Sequence, residues 1–426
     1  MTDLRASVGP RAGGDLAAFA TPAERGAARQ QTAALLKGEL TLDAALKIAL
    51  LNAPKYQGLY ARLNVAAAER SGSTQFANPL LIIGQEPTPA GVLGGFQIGL
   101  AATLIDLLSH AGRTTAAGGV YEAERLAVAA DVVAAATDVR TAYVEAVAAS
   151  HVRAVKQELD TAAHTAAALA QRFHAAGNIP LVRLREEQAA AADAALALSD
   201  AELAEARARE SLALAMGVDA GGDWKIPAVL PDAMPTVAEG AVDRRLDVLA
   251  ARAAAKAALG ELKLRTGLRL WREINLEAVA ESEGTGEWAI GRRLEIALPI
   301  FNQGKPQVAT AAAAALKAEY AREAVEQSAA SEVRISRVAF KQAEQRLERY
   351  RKEILPLHDE IVELKLKEYN YMLVGAFEVL TARQDSAHAQ VGYVETLRDY
   401  WKARVALDSA LGGGTPAGLI ATEITP

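Results

Sequence analysis

Six histidines, His110, His151, His164, His174, His358 and His388, are the side chains in this sequence best suited to hold a transition metal or shuttle a proton. None stands at the spacing of an HExxH zinc helix, and Met occurs only at positions 1, 216, 234 and 372, so no soft-metal relay is spelled out. Cysteine is absent, which removes thiolate ligation, disulfides and thiol nucleophiles together. Gly304-Lys305 lacks the upstream glycine of a phosphate-binding loop, because position 299 is Pro. No nucleophile and base stand out as a set. The sequence therefore points to a protein that is not an enzyme, with no catalytic residue, no metal site and no cofactor.

Composition narrows the class further. The chain has 426 residues and a formal net charge of −6, against the basic surface that a nucleic-acid partner requires. Hydrophobic residues make up 51% but aromatics only 5%, so alanine carries much of the apolar character. With 23% charged residues the composition is that of a folded chain. The only charge-free stretch of 18 residues or more, 87–105, carries Pro87, Pro89 and four glycines, so no transmembrane helix is expected. It does not touch a β-barrel, whose strands alternate polar and apolar positions. Residues 1–39 contain Arg5, Arg11, Asp15 and Glu24 and no continuous apolar core, so no signal peptide is read there.

The elements that would position any site come in pairs. Phe96-Gln-Ile-Gly99 and Trp288-Ala-Ile-Gly291 stand 192 residues apart, as do Gly112 and Gly304, each placed just before a helical segment. Asp138-Val-Arg140 and Glu332-Val-Arg334 follow at 194, and Leu212–Gly217 and Leu407–Gly412 at 195. Four ordered pairs predict two tandem repeats of about 190 residues. The expected layout is a 1–39 N-terminal extension, a first repeat over 40–217, a 218–242 linker, a second repeat over 243–412 and a 413–426 tail.

Each repeat reads as a β-hairpin followed by long helices. The hairpins fall at about 75–105 and 268–299, where alternation is clearest in Leu268-Arg-Leu-Trp-Arg-Glu-Ile-Asn-Leu and Arg293-Leu-Glu-Ile. Turn residues split them at Pro87-Thr-Pro89, Gly91–Gly95 and Glu283-Gly-Thr-Gly286. The helices are expected at 113–176 and 181–216, then 307–372 and 377–411, with Pro356 as a break. The first would span about 96 Å, a length suited to a coiled-coil rod. Gly177-Asn-Ile-Pro180 reverses it, Gly as left-handed cap and Pro as helix opener, and a second reversal is expected near Gly375. Leu181, Leu184, Gln188, Ala191, Ala195 and Leu198 then step 3-4-3-4-3. Four strands cannot close a barrel that needs about eight, and open edges invite pairing, so a symmetric homo-oligomer is expected.

Over residues 40 to 413 the sequence resembles the TolC-like outer-membrane efflux channels. The likeness rests on Leu40-Thr-Leu-Asp-Ala-Ala-Leu-Lys-Ile-Ala-Leu, on Leu298-Pro-Ile-Phe-Asn-Gln-Gly304, and on the turn regions Ala175–Pro180 and Tyr369–Leu380. It implies a mainly α fold with β: a homotrimer whose twelve strands form one outer-membrane β-barrel in contact with lipid, continued by a twelve-helix periplasmic α-barrel. It also implies a periplasmic adaptor (membrane fusion) protein and an inner-membrane RND transporter as partners. Within the family, Glu368–Gln384 and Leu397-Arg-Asp-Tyr-Trp401 are most similar to heavy-metal-type members. Without cysteine, an acylated N-terminus is not expected.

The resemblance assigns roles around the reversals. Gly177, Asn178, Ile179, Leu181 and Leu184 on the first, and Val374, Gly375, Ala376 and Leu380 on the second, would contact the adaptor. Glu378 matches the first of the acidic positions that ring the periplasmic aperture in relatives; the second corresponds to Thr381. Three copies of Glu378 about one axis would favour cations. Arg183 occupies the matching part of the first reversal, and an Arg183–Glu378 pair, within or between protomers, would hold the tip closed. The function expected is a passive export duct. Its alternatives are a soluble coiled-coil scaffold, or an outer-membrane duct for drug efflux or type I secretion. Tandem hairpins speak against a periplasmic adaptor, which would carry one.

Overall fold

The structure, a computed structural model of the whole chain, describes residues 8, 11, 12, 19, 21–87, 93–231, 242–271, 273–282 and 287–413. The turn residues 88–92 and 283–286, most of residues 1–20 of the extension, residue 272, residues 232–241 of the linker and 414–426 of the tail lie outside the described residues. Helices come first: α1 (Pro22–Leu35), α2 (Leu42–Asn52) and α3 (Pro54–Thr74). Strands β1 (Leu80–Pro87) and β2 (Leu93–Thr103) lead into the long helices α4 (Leu104–Ala175) and α5 (Leu181–Met216). The pattern recurs with α6 (Leu246–Gly267), β3 (Ile274–Ser282), β4 (Trp288–Ile296) and α7 (Lys305–Arg349). A five-residue π turn, Tyr350–Ile354, joins α7 to α8 (Leu355–Asn370), and α9 (Ala376–Ala410) follows.

Three boundaries differ from expectation, each for a local reason. Helix α4 starts at Leu104 rather than 113, because no turn-forming residue follows β2, and Gly112 lies inside the helix. Strand β3 starts at Ile274 rather than 268. The alternating Leu268-Arg-Leu-Trp is a turn off the end of α6: Leu268 N–H donates to Leu264 O (3.0 Å) and Trp271 N–H to Leu268 O (3.2 Å). Helical geometry also continues through Pro356, with both Ile354 and Leu355 in the right-handed region. A proline ring collides with the carbonyl four residues back, here Lys352, and the ladder is widened at that residue into the π turn.

Backbone contacts divide the chain into two compact units, one of Met1–Tyr60, Ala129–Arg245 and Ala329–Pro426, the other of Ala61–Val128 and Leu246–Ser328. In the first, α2 buries Leu42, Ala45, Leu46, Ile48, Ala49 and Leu50 completely. Thr41 caps it, its hydroxyl accepting from Ala44 N–H at 3.2 Å. Charge is buried here as well: Arg140 donates to Arg11 O (2.7 Å), and Arg404 pairs with Asp408 (2.9 Å). Burial lowers the Arg140 guanidinium to about 10, and burial raises the Asp408 carboxyl despite the opposing hydrogen bond from Arg404.

The second unit holds the sheet, antiparallel throughout in the order β1-β2-β3-β4. Strict alternation sorts its residues. Leu81, Ile83, Ile98, Leu100, Ile290 and Leu294 share one face and are all exposed. Trp288 meets Phe96 edge-on at 6.2 Å on that face. The opposite face carries Gln97, Glu277, Glu281, Arg293 and Glu295, with Gln97 donating to Glu281 (2.9 Å) and Arg293 pairing with Glu277 (3.3 Å). Among the described strand residues Arg292 is the only charge on the apolar face, and its long stem can carry the guanidinium away from the mid-strand. Among the described residues, nothing pairs with the outer edges of β1 and β4.

Candidate functional site

The two reversals, between α4 and α5 and between α8 and α9, close with the same hydrogen bonds. At the first, Gly177 N–H donates to His174 O (2.9 Å) and Asn178 N–H to Phe173 O (2.8 Å). At the second, Met372 N–H donates to Tyr369 O (2.9 Å) and Leu373 N–H to Glu368 O (2.9 Å). Both are Schellman caps, which require a left-handed residue after the helix. Gly177 meets that requirement with φ +77. At the second turn the left-handed residue is Met372, φ +59, and not Gly375. Gly375 is instead the N-cap of α9 with φ −86 and ψ 173, an extended conformation open to any residue.

One apolar cluster ties the two reversals together. Ala170, Leu184 and Phe377 are buried in it, and Phe173, Ile179 and Leu380 pack against them. The Phe173 and Phe377 rings meet edge to face at 6.0 Å, and the Arg183 guanidinium lies 5.0 Å from the Phe377 ring centre. Thus Ile179, Leu184 and Leu380 of the expected tip residues are brought into one contact. Leu181 and Asn178 stay exposed, while Val374 and Ala376 are half-buried. The outermost surface is apolar: Tyr371, Met372 and Leu373 are 79%, 92% and 74% exposed, and Val182 lies open on the first turn.

The charges are arranged differently from expectation inside one chain. Arg183 pairs with Glu186 (3.3 Å) and Glu187 (2.8 Å), its own helix neighbours at i+3 and i+4. Glu187 is buried, so it holds Arg183 along α5. Glu378 is exposed on the first turn of α9 and, among the described residues, makes no ion pair. An Arg183–Glu378 pair within the protomer is not formed. The anchors that residue patterns missed are Phe173 and Phe377. Their signal was an aromatic four residues before Gly177 and another five after Met372, one beside each turn.

Among the described residues no group of three or more His, Asp or Glu is placed to hold a metal ion, and no helix is long and apolar enough to cross a membrane. What the reversals offer is a double turn joined by one apolar cluster, with an apolar exposed surface and the exposed acid Glu378 beside it.

No known family model and no curated protein matches the sequence. Solved structures do match the fold. A membrane protein from Pseudomonas aeruginosa is similar with TM-score 0.75 at 20% identity, over 88% of this chain and 90% of that one. The outer membrane protein VceC from Vibrio cholerae gives 0.73 at 18% identity, over 88% and 96%. The CmeC outer membrane channel of Campylobacter jejuni gives 0.72 at 16%, over 91% and 86%. A mainly helical chain with one small antiparallel sheet is the fold shared with these proteins.

Proposed function

We propose that the chain forms, as a homotrimer, the outer-membrane channel of a tripartite efflux system. It is a passive duct served by a periplasmic adaptor and an inner-membrane RND pump. The observation that carries this is the sheet: one face is exposed and predominantly apolar, with Arg292 its only charge, the other carries the remaining strand charges, and among the described residues both edges are free. Water-soluble monomers rarely expose such a face, and lipid on one side with a water-filled lumen on the other accounts for both. Antiparallel alternation lets β4 of one copy pair with β1 of the next, which removes every edge. The fold shared with outer-membrane channels supports the same conclusion. A soluble scaffold leaves the apolar face unexplained.

The reversals then form the periplasmic end. Exposed Tyr371, Met372, Leu373, Leu181 and Val182 would meet the adaptor, and three Glu378 side chains would ring the aperture. With Arg183 held by Glu186 and Glu187, an Arg183–Glu378 latch would act only between copies. The resemblance at Glu368–Gln384 makes heavy-metal cations one candidate cargo. The test is expression with an export signal, membrane fractionation, and planar-bilayer recording of the purified protein. A detergent-extracted trimer that conducts ions is expected. A soluble monomer, or a trimer without conductance, would defeat the proposal.

A further inference from the structure

The unit of Ala61–Val128 and Leu246–Ser328 contains a cavity of about 800 Å³ where α3, α4 and α6 converge beside Gly304. Its charge runs against that of the chain. Five arginines line it, Arg62, Arg70, Arg113, Arg265 and Arg269, against three glutamates, Glu69, Glu124 and Glu261. Two pairs cancel, Arg62 with Glu124 and Arg265 with Glu261. Arg113 reaches Asp106 at 3.5 Å, while its Nε is buried with no acceptor. Arg70 lies 5.2 Å from the Tyr121 ring centre and, like Arg269, makes no ion pair among the described residues. Free guanidinium donors therefore outnumber the one remaining free acid, Glu69.

Apart from Ser73 and Gln307 the rest of the wall is apolar or aromatic, with Val65, Val120, Tyr121, Leu264, Leu268 and Trp271 among its larger members. Gly304 keeps the floor in place. It is left-handed at φ +71, and a Cβ there would stand 2.7 Å from Arg269 O, so only glycine lets α7 begin this close to the α6 turn. On α4 the cavity residues Arg113, Ala117, Val120 and Glu124 lie on the side roughly opposite the exposed Leu107 and Leu108, at 100° per residue.

We propose that this cavity binds amphiphilic organic anions. Planar guanidinium groups match a carboxylate, sulfonate or phosphate head with paired hydrogen bonds, and the Trp271–Tyr121 wall takes an apolar body. Resting on the duct function above, the apolar side of α4 faces outward with the apolar side of the sheet. The cavity then opens on the lumen just below the strands, as a station for anionic cargo, repeated three times. Its charge disfavours metal cations at this level of the duct.

The experiment is calorimetric titration of the full chain in phosphatidylcholine nanodiscs with 2-naphthalenesulfonate, against 2-naphthalenemethanol and a naphthylmethylammonium of the same size. Saturable binding of the sulfonate alone is expected. It should weaken at least tenfold in the Arg70→Gln/Arg269→Gln double variant, and should be lost in Val120→Trp, which fills the space without changing charge. Equal binding of the neutral or cationic probe, or unchanged binding in both variants, would overturn the proposal. Loss of the signal in discs containing phosphatidylglycerol would assign the cavity to a lipid headgroup and overturn the cargo role. Conductance of the same preparation is recorded separately. A conducting trimer that ignores the sulfonate sinks the anion site alone, whereas a non-conducting one sinks the duct.

Discussion

Replacing Phe377 with alanine is the sharpest perturbation of the double turn, because one side chain of α9 holds elements of both hairpins. Phe377 is 7% exposed and sits in a cluster of six side chains. Truncating a buried phenylalanine costs about 3–5 kcal/mol. The edge-to-face contact with Phe173 is part of that sum, at roughly 0.5–1.5 kcal/mol, as is the Arg183 cation over the ring, at about 0.5–1 kcal/mol. The cluster lies at chain reversals, so the loss falls on local opening rather than on the whole unit. At 1.36 kcal/mol per tenfold, amide exchange should accelerate by roughly two to three and a half powers of ten. Hydrogen–deuterium exchange with mass spectrometry reads it on peptides covering 165–185 and 370–385, with the α2 peptide as control. The informative peptide is 165–185, on the hairpin that was not mutated. Faster exchange confined to 370–385 would show that the cluster does not couple the two turns.

Further outcomes can be stated briefly. Met372→Gly should stabilise the second turn by about 1 kcal/mol, since a left-handed non-glycine residue costs about 1–2 kcal/mol, and denaturant midpoints in detergent would register it. Gly304→Ala combines φ +71 with the 2.7 Å clash against Arg269 O and should lower stability by about 2 kcal/mol or more, with no gain from the added methyl. Asp408 has a carboxyl raised by burial, so between its ordinary value near 3.8 and its folded value the native state holds more protons than the unfolded one. Its contribution is present in acid and lost as pH rises through the folded value. Relative to wild type, Asp408→Asn should therefore gain stability from about pH 4 upward; a loss over that range would refute the sign. Charge reversal at Glu378 should move the reversal potential of reconstituted channels toward anions, and unchanged selectivity would remove Glu378 from the aperture.

Much of this architecture is legible in residue order because the signals are local. Gly177 and Pro180 announce a turn through backbone conformations that few other residues adopt, and strand β4 alternates from Trp288 to Ile296 with Arg292 as its one exception among the large side chains. The second turn hides its left-handed residue, because Met372 stands where propensity would place glycine, and a glycine, Gly375, follows three residues on. Helix α4 could not be dated to Leu104 because a strand running straight into a helix leaves no punctuation. The tip cluster is a matter of distance between α4, α5 and α9. Periodicity marks Phe173 and Phe377 as inward-facing but not as facing each other. The arginine-lined cavity was invisible for the same reason, its members being scattered from Arg62 to Arg269.

The π turn between α7 and α8 bears on how the two halves of the chain keep step. Asp138-Val-Arg140 and Glu332-Val-Arg334 stand 194 residues apart, whereas Gly177 and Met372, the matching residues of the two Schellman caps, stand 195 apart. One residue has been added in the second half between 334 and 372, and Tyr350–Ile354 is where a helix can absorb it, since an i→i+5 turn closes over one more residue than an α turn. Anywhere else, the addition would rotate all that follows by 100° and turn the inward stripe of α8 toward solvent. Deleting one residue within 350–354 should therefore restore a plain α-helix with its downstream faces unmoved, while the same deletion ten residues to either side should not be tolerated.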